Sequence, residues 1–258
     1  METVITSTQN PKIKHLLALQ EKSSERRKSG LFVVEGRREL EHCINAGYEV
    51  ECVFALADSH VPANLPVQTV SPHVYERIAY RGSTEGVIAV VRVKSHTLED
   101  LSIKTPLFVV VESVEKPGNL GAILRSADAA AATAVIVCDP LTDLYNPNLI
   151  RASIGACFTV PIVTCSTEEC IAFLKAHDIH ILTAQLQDSQ PYYDTPMTGP
   201  TAIVMGTEST GLTQQWREAA DAHIRIPMQG QLDSLNVSVS TAILLFEAVR
   251  QRQHIAVG

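Results

Sequence analysis

The chain has 258 residues, 45% hydrophobic and 19% charged, which suits a globular protein with one large α/β domain or a small one beside a medium one. No apolar run approaches the roughly 18–20 residues that span a bilayer, and METVITSTQNPKIK lacks a charged-then-apolar export pattern, so a cytoplasmic protein is expected. The net charge of −7 argues against a polyanion partner, yet residues 12–38 hold eight Lys/Arg against three Asp/Glu, either a phosphate-binding face or a solvated helix.

In chain order, Asn10 to Lys28 predicts one amphipathic helix, with Ile13, Leu16, Leu17 and Leu19 as its apolar stripe and Pro11 in the first turn. LFVVEG from Leu31 reads as a strand, Arg37 to Ala46 as a helix stopped by Gly47, and VECVFAL from Val50 as a strand. A Pro-punctuated link, a short helix in SPHVYERIAY and a continuous apolar strand, GVIAVVRV from Gly86, complete a small α/β unit. The polar SHTLEDLSIKTP marks a boundary, so the expected division is 1–95, a linker at 96–105, and 106–258.

The second part alternates strand and helix. Strands are expected in LFVVVES, AVIVCD, FTVPIV, IHILTAQ, TAIVMG and AHIRIP. Helices are expected from about Gly118 to Ala132, Asn146 to Cys157, Ser166 to His177 and Asn236 to Gln253. Uniformly apolar strands separated by helices predict a mostly parallel sheet covered on both faces, with ligands beyond the carboxyl ends of its strands.

Three polar segments begin at such strand ends. In EKPGNLGAILRSADAA from Glu115, Asn119 and Gly121 open a helix whose free N–H groups favour anions, and Arg125 follows, either a functional cation or a surface salt bridge. In VMGTESTGL from Val204, Gly206 lets backbone approach a flat ring or a ribose, while Glu208 is either a ligand or partner of Arg125, or a helix cap. In IPMQGQLDSLNVSVSTAILLFEA from Ile226, Ser234 or Asn236 caps a helix, and Ser238 and Ser240 carry hydroxyls into it. The six cysteines form no CxxC and the histidines no HExxH, so the cysteines read as small buried hydrophobes and no metal is expected.

Together these segments, as N-x-G-x-x-x-R, M-G-x-E-x-x-G-L and I-P-M-x-G-x-x-x-S-L-N-V-S, resemble the three motifs of the SpoU/TrmH family of SPOUT-class RNA ribose 2′-O-methyltransferases, over about residues 107–250. More loosely, ITSTQNPKIK and FVVEGRRELEHC look like the ribosomal-protein-like RNA-binding domain of many members. The resemblance implies a SPOUT α/β domain with a deep trefoil knot, S-adenosylmethionine as cofactor and a homodimer built on the knot region and last helix. It implies a catalytic set of Arg125, Asn119, Glu208, Ser234 and Asn236, and cofactor contacts at Gly206, Ile226, Met228, Leu235 and Ser238. Lys12, Lys14, Arg26, Arg27, Lys28, Arg37 and Arg38 are the candidates for RNA phosphate contacts, with ribosomal RNA favoured over transfer RNA as substrate. The rivals are a non-catalytic RNA-binding member of the fold and a dinucleotide enzyme. The latter lacks G-x-G-x-x-G.

Overall fold

Asn10 caps the first helix, α1 (Pro11–Glu21), by accepting from the Lys12 N–H at 2.9 Å, and Pro11 supplies the fixed φ of its first turn. The computed structural model describes residues 4–79, 85–207 and 210–255. The single helix expected over Asn10 to Lys28 is two. Lys22 adopts extended backbone, and α2 (Ser23–Ser29) follows, closed by Gly30 in the left-handed region at φ 65°.

The break has a visible cause. Arg26 folds back on α1 and donates from Nη1 to the carbonyls of Leu19 and Gln20, acceptors that the last turn of a helix leaves open. Its Nε donates to Asp143 at 2.6 Å. Arg26 is 3% exposed, so the phosphate contact expected of it is closed off: the guanidinium is an internal clamp. Arg26→Ala strands two carbonyls and a carboxylate that is itself mostly buried. It is expected to cost about 2 kcal/mol, read as a lower midpoint in chemical unfolding. An unchanged midpoint would remove the clamp from the account.

The first unit continues with β1 (Leu31–Glu35), α3 (Arg37–Asn45), β2 (Val50–Ala55), β3 (Val67–Thr69), α4 (Pro72–Ile78) and β4 (Val87–Arg92). Its sheet runs β1-β4-β2-β3, antiparallel except where β2 meets β3. β3 lies in the link read as a loop, where a three-residue run is too short to show alternation. Ile13, Leu16 and Leu19 of α1 pack with Val33, Phe54, Ile88 and Val90 from the sheet.

A short 3₁₀ turn at Leu98–Asp100 precedes β5 (Leu107–Glu112), α5 (Pro117–Ala129) and β6 (Ala134–Cys138), which begin the second unit. The chain then departs from it. Residues 143–159 cluster with residues 1–94, although the sequence reading groups them with 106–258. They hold α6 (Pro147–Ser153) and α7 (Ala156–Thr159), one expected helix divided by Ile154 and Gly155 at φ 53° and 88°. The division extends α7 over Phe158 and Thr159, which the sequence reading assigns to a strand. Phe32 of β1 stacks on Tyr145 at 4.2 Å between ring centroids and lies 6.0 Å from Phe158.

The second unit resumes with β7 (Ile162–Cys165), α8 (Thr167–Ala176), β8 (His180–Ala184), β9 (Gln190–Pro191), β10 (Thr201–Met205), α9 (Gln214–Ala219), β11 (Ala222–Arg225) and α10 (Val237–Ile255). Seven strands form one parallel sheet in the order β7-β6-β5-β10-β8-β11-β9, as the uniform apolar runs require. Phe108, Val110, Ile136, Ile181, Val204 and Trp216 fill one side of it. α10 packs on α5 and on β10. From β5 the chain moves to β6 on one side, while β10 lies on the other, so the strand order reverses between β5 and β10. Such a reversal opens a crevice at the carboxyl ends of the two strands. No described helix is long and apolar enough to cross a membrane.

Candidate active site

Glu112 ends β5 in the crevice and is 3% exposed. Its carboxylate accepts from the Thr213 N–H at 2.9 Å and the Thr213 hydroxyl at 2.7 Å, anchoring the far end of the loop that leaves β10. Nothing in the sequence singles out Glu112 beyond a charge closing an apolar run, a signal visible only in retrospect. Within the anchored loop, Thr207 and Gly211 pair backbone to backbone at 3.2 and 3.1 Å. Gly206 stands where that pairing closes in: a Cβ there would lie 2.4 Å from the Gly211 carbonyl carbon and 2.5 Å from the Leu212 nitrogen. Both are main-chain atoms, so only glycine fits.

A cavity of about 600 Å³ lies against this loop, within the range of small-molecule sites. Its apolar wall includes Met205, Leu212, Ile224 and Leu244, and its rim carries Gln185, Arg217 and Asp233. Of the expected cofactor positions, Gly206, Ile226, Met228 and Leu235 line it, as do Ser234 and Asn236 of the expected catalytic set. Ser238 lines neither this cavity nor its neighbour: its N–H and hydroxyl both donate to Asn236 Oδ1, at 3.0 and 2.6 Å, making Asn236 the cap of α10. Two buried polar atoms of lining residues, Gln185 Oε1 and Arg217 Nε, have no hydrogen-bond partner among the described residues. Both atoms are closed off from the cavity as well as from solvent, so they are a cost built into its wall rather than contacts open to a ligand.

A second cavity of about 230 Å³ shares Gly206, Thr207 and Val237 with the first and reaches Glu115, Lys116 and Asn119. Asn236 Nδ2 donates to Asn119 Oδ1 at 3.3 Å, joining the first and third motifs across the shared wall. Arg125, six residues further along α5 than Asn119, is displaced about 9 Å along the helix and about 120° around it. It is exposed, lines neither cavity and makes no ion pair among the described residues. Ser234 donates to Asp233 Oδ1 at 3.3 Å. Glu208 lies outside the described residues. Lys12, Lys14, Arg27, Lys28, Arg37 and Arg38 are all exposed on the first unit, with Lys12 donating to Gln68 and Arg37 paired to Glu41 at 2.8 Å.

Fold and site together define a parallel α/β domain with a ligand-sized cavity at the carboxyl ends of its strands, together with a second α/β unit. The SpoU rRNA methylase family model matches residues 106–246, and that of the MRM3-like substrate binding domain matches residues 10–89. A 23S rRNA (guanosine-2′-O-)-methyltransferase RlmB from Yersinia pestis is 37% identical over 74% of this chain and 80% of its own. A crystal structure of an RNA 2′-O ribose methyltransferase superimposes with a TM-score of 0.84 at 40% identity, covering 97% of this chain and all of that one. An AdoMet-bound rRNA methyltransferase from Sinorhizobium meliloti gives 0.89 at 29% identity, over 96% and 97%. The chain belongs to the SpoU rRNA methylase family.

Proposed function

We propose that this protein transfers a methyl group from S-adenosylmethionine to a ribose 2′-hydroxyl of ribosomal RNA. The observation that carries this reading is the pair of adjoining cavities whose common wall is Gly206, Thr207 and Val237. The larger has the size and the apolar walls that suit a nucleoside with an amino-acid tail. The names of similar proteins support both the cofactor and ribosomal RNA. Ribosomal RNA as substrate in turn supports a cytoplasmic location.

When bound, S-adenosylmethionine supplies an electrophilic methyl group on a sulfonium. The chain's share is positioning, worth roughly 7–11 kcal/mol when nucleophile and electrophile are held in line. Gly206, Ile226, Met228 and Leu235 would hold the donor with main chain and apolar surface. Asn119 and Asn236, fixed to each other, would orient the sugar on the other side of the wall. Arg125, a guanidinium with no capacity to accept a proton, would act by gripping the adjacent phosphate or by stabilising negative charge on the attacking oxygen. Ser234 and Glu208 complete the proposed polar set.

The test is transfer of labelled methyl from S-adenosylmethionine to ribosomal RNA from cells that lack the protein. Label recovered as 2′-O-methylribose is expected, and label on a base, or none, defeats the reading. Changing Lys14, Arg27, Lys28, Arg37 and Arg38 together to Glu is expected to weaken RNA binding by about tenfold or more and to flatten its salt dependence, with donor affinity unchanged. Equal RNA affinity would move the RNA contacts elsewhere.

A homodimer is part of the proposal. Val239 and Phe246 lie two turns apart on α10 and are each about half exposed, with partly buried Ile243 between them. A second copy laid on this stripe would cover it. Phe246→Asp is expected to give monomers in sedimentation, whereas a wild-type monomer would refute the pairing. The knotted path that the family implies is part of the proposal, and its support is the likeness to solved RNA 2′-O ribose methyltransferase structures.

A further inference from the structure

Three cysteines that the reaction does not use converge at the carboxyl edge of the parallel sheet. Cys138 ends β6, Cys165 ends β7 directly opposite it in the ladder, and Cys170 comes from the second turn of α8. Their sulfurs all lie within 4.8 Å of one another. None of the three lines either cavity of the proposed active site. We propose that Cys138, Cys165 and Cys170 bind one divalent thiophilic ion of the zinc type through three thiolates.

The geometry favours a metal over the alternatives. Zinc–sulfur bonds of about 2.3 Å place three sulfurs roughly 3.8–4.0 Å apart, so the triad need contract by less than about 1 Å. An odd number of mutually adjacent sulfurs is not satisfied by a disulfide, which would leave one thiol over. A purely apolar role explains burial but not the meeting of three sulfurs from three elements. Cys138 and Cys170 are fully buried, while Cys165 is half-buried and leaves a solvent side for a water as fourth ligand.

The charges nearby point the same way. Asp139 and Glu169 add negative charge beside Cys165, which favours a divalent over a monovalent cation. Both carboxylates are already engaged, Asp139 by Thr167 and Glu169 by Ser166, so they act through their field. On binding, each thiol still protonated gives its proton to solvent and each sulfur lone pair forms one bond to the ion. Nothing is oxidised.

The test uses the full-length chain, reduced and stripped with a chelator, then dialysed against Zn²⁺ or, separately, Cu(I). One equivalent of Zn²⁺ per chain is expected, lost in Cys138→Ser, Cys165→Ser and Cys170→Ser and kept in Cys52→Ser. Binding that survives in all three variants, no stoichiometric uptake of Zn²⁺, or uptake of Cu(I) alone would each overturn the proposal. Should the buried serine variants fail to fold, alkylation of the wild type decides. Cys52 and Cys165 are the two half-buried thiols among the described residues, and Zn²⁺ is expected to shield Cys165 while Cys52 stays reactive. Equal alkylation of Cys165 with and without Zn²⁺ would end the proposal.

Discussion

Gly206→Ala is expected to abolish measurable binding of S-adenosylmethionine and to lower stability by up to about 3 kcal/mol, the upper end for overpacking. The added methyl would meet the Gly211 carbonyl carbon at 2.4 Å and its oxygen at 2.7 Å, and the Leu212 nitrogen at 2.5 Å. A flexible side chain would swing aside from such a contact, but this is main chain. The Thr207–Gly211 pairing holds it on one side and Glu112, through Thr213, on the other. Relief would have to come from moving the loop, and the loop is a wall of both cavities. Gly230→Ala is the control, since a Cβ there meets nothing within 4 Å, and it is expected to be near neutral. Calorimetric titration with the donor, beside thermal unfolding, checks both. Wild-type affinity in Gly206→Ala would show that the loop does not hold the donor.

Arg125→Ala is expected to lower methyl transfer by about 10²–10³-fold, the range for removing one charge or hydrogen-bond donor from a transition state. Stability and donor affinity should stay within a few-fold of wild type. The separation follows from where the side chain is: exposed, outside the lining of either cavity and without an ion pair among the described residues. Arg125→Lys keeps the charge but not the planar fork, and should recover only part of the rate if a phosphate is gripped by two N–H groups. Single-turnover rates at saturating donor are the measurement. A rate near wild type in the alanine variant would take Arg125 out of the mechanism.

Much of this was legible beforehand, and the failures share a cause. Strand runs such as LFVVVE and TAIVM are buried on both faces, so their apolar continuity reports them directly. β9, with two residues, and α9, with six, are too short to impose a period, so neither stands out in the sequence beyond the possible helix cap at Glu208. Glycine and amide clusters at strand ends pointed to the loops because neither residue type belongs in an aliphatic core. Pairings across long stretches of chain did not show. Arg26 looks like one more cation in a basic run until Asp143 arrives beside it, 117 residues later. Asn119 and Asn236, also 117 apart, carry no mark of their contact. Cys138, Cys165 and Cys170 look like ordinary buried hydrophobes one at a time, and only the meeting of two strands and a helix makes them a cluster.

The loan of residues 143–159 to the first unit has a consequence for how the protein is made. Translation must reach residue 159 before that unit's fold can be completed, and by then β5 and β6 of the second unit have already been synthesised. Phe32 therefore waits, uncovered on that face, for Tyr145 and Phe158 to emerge from the ribosome. A gene fragment ending near residue 95 would expose that surface permanently and is expected to aggregate. A graft of this module onto another enzyme would have to carry two separate stretches of chain.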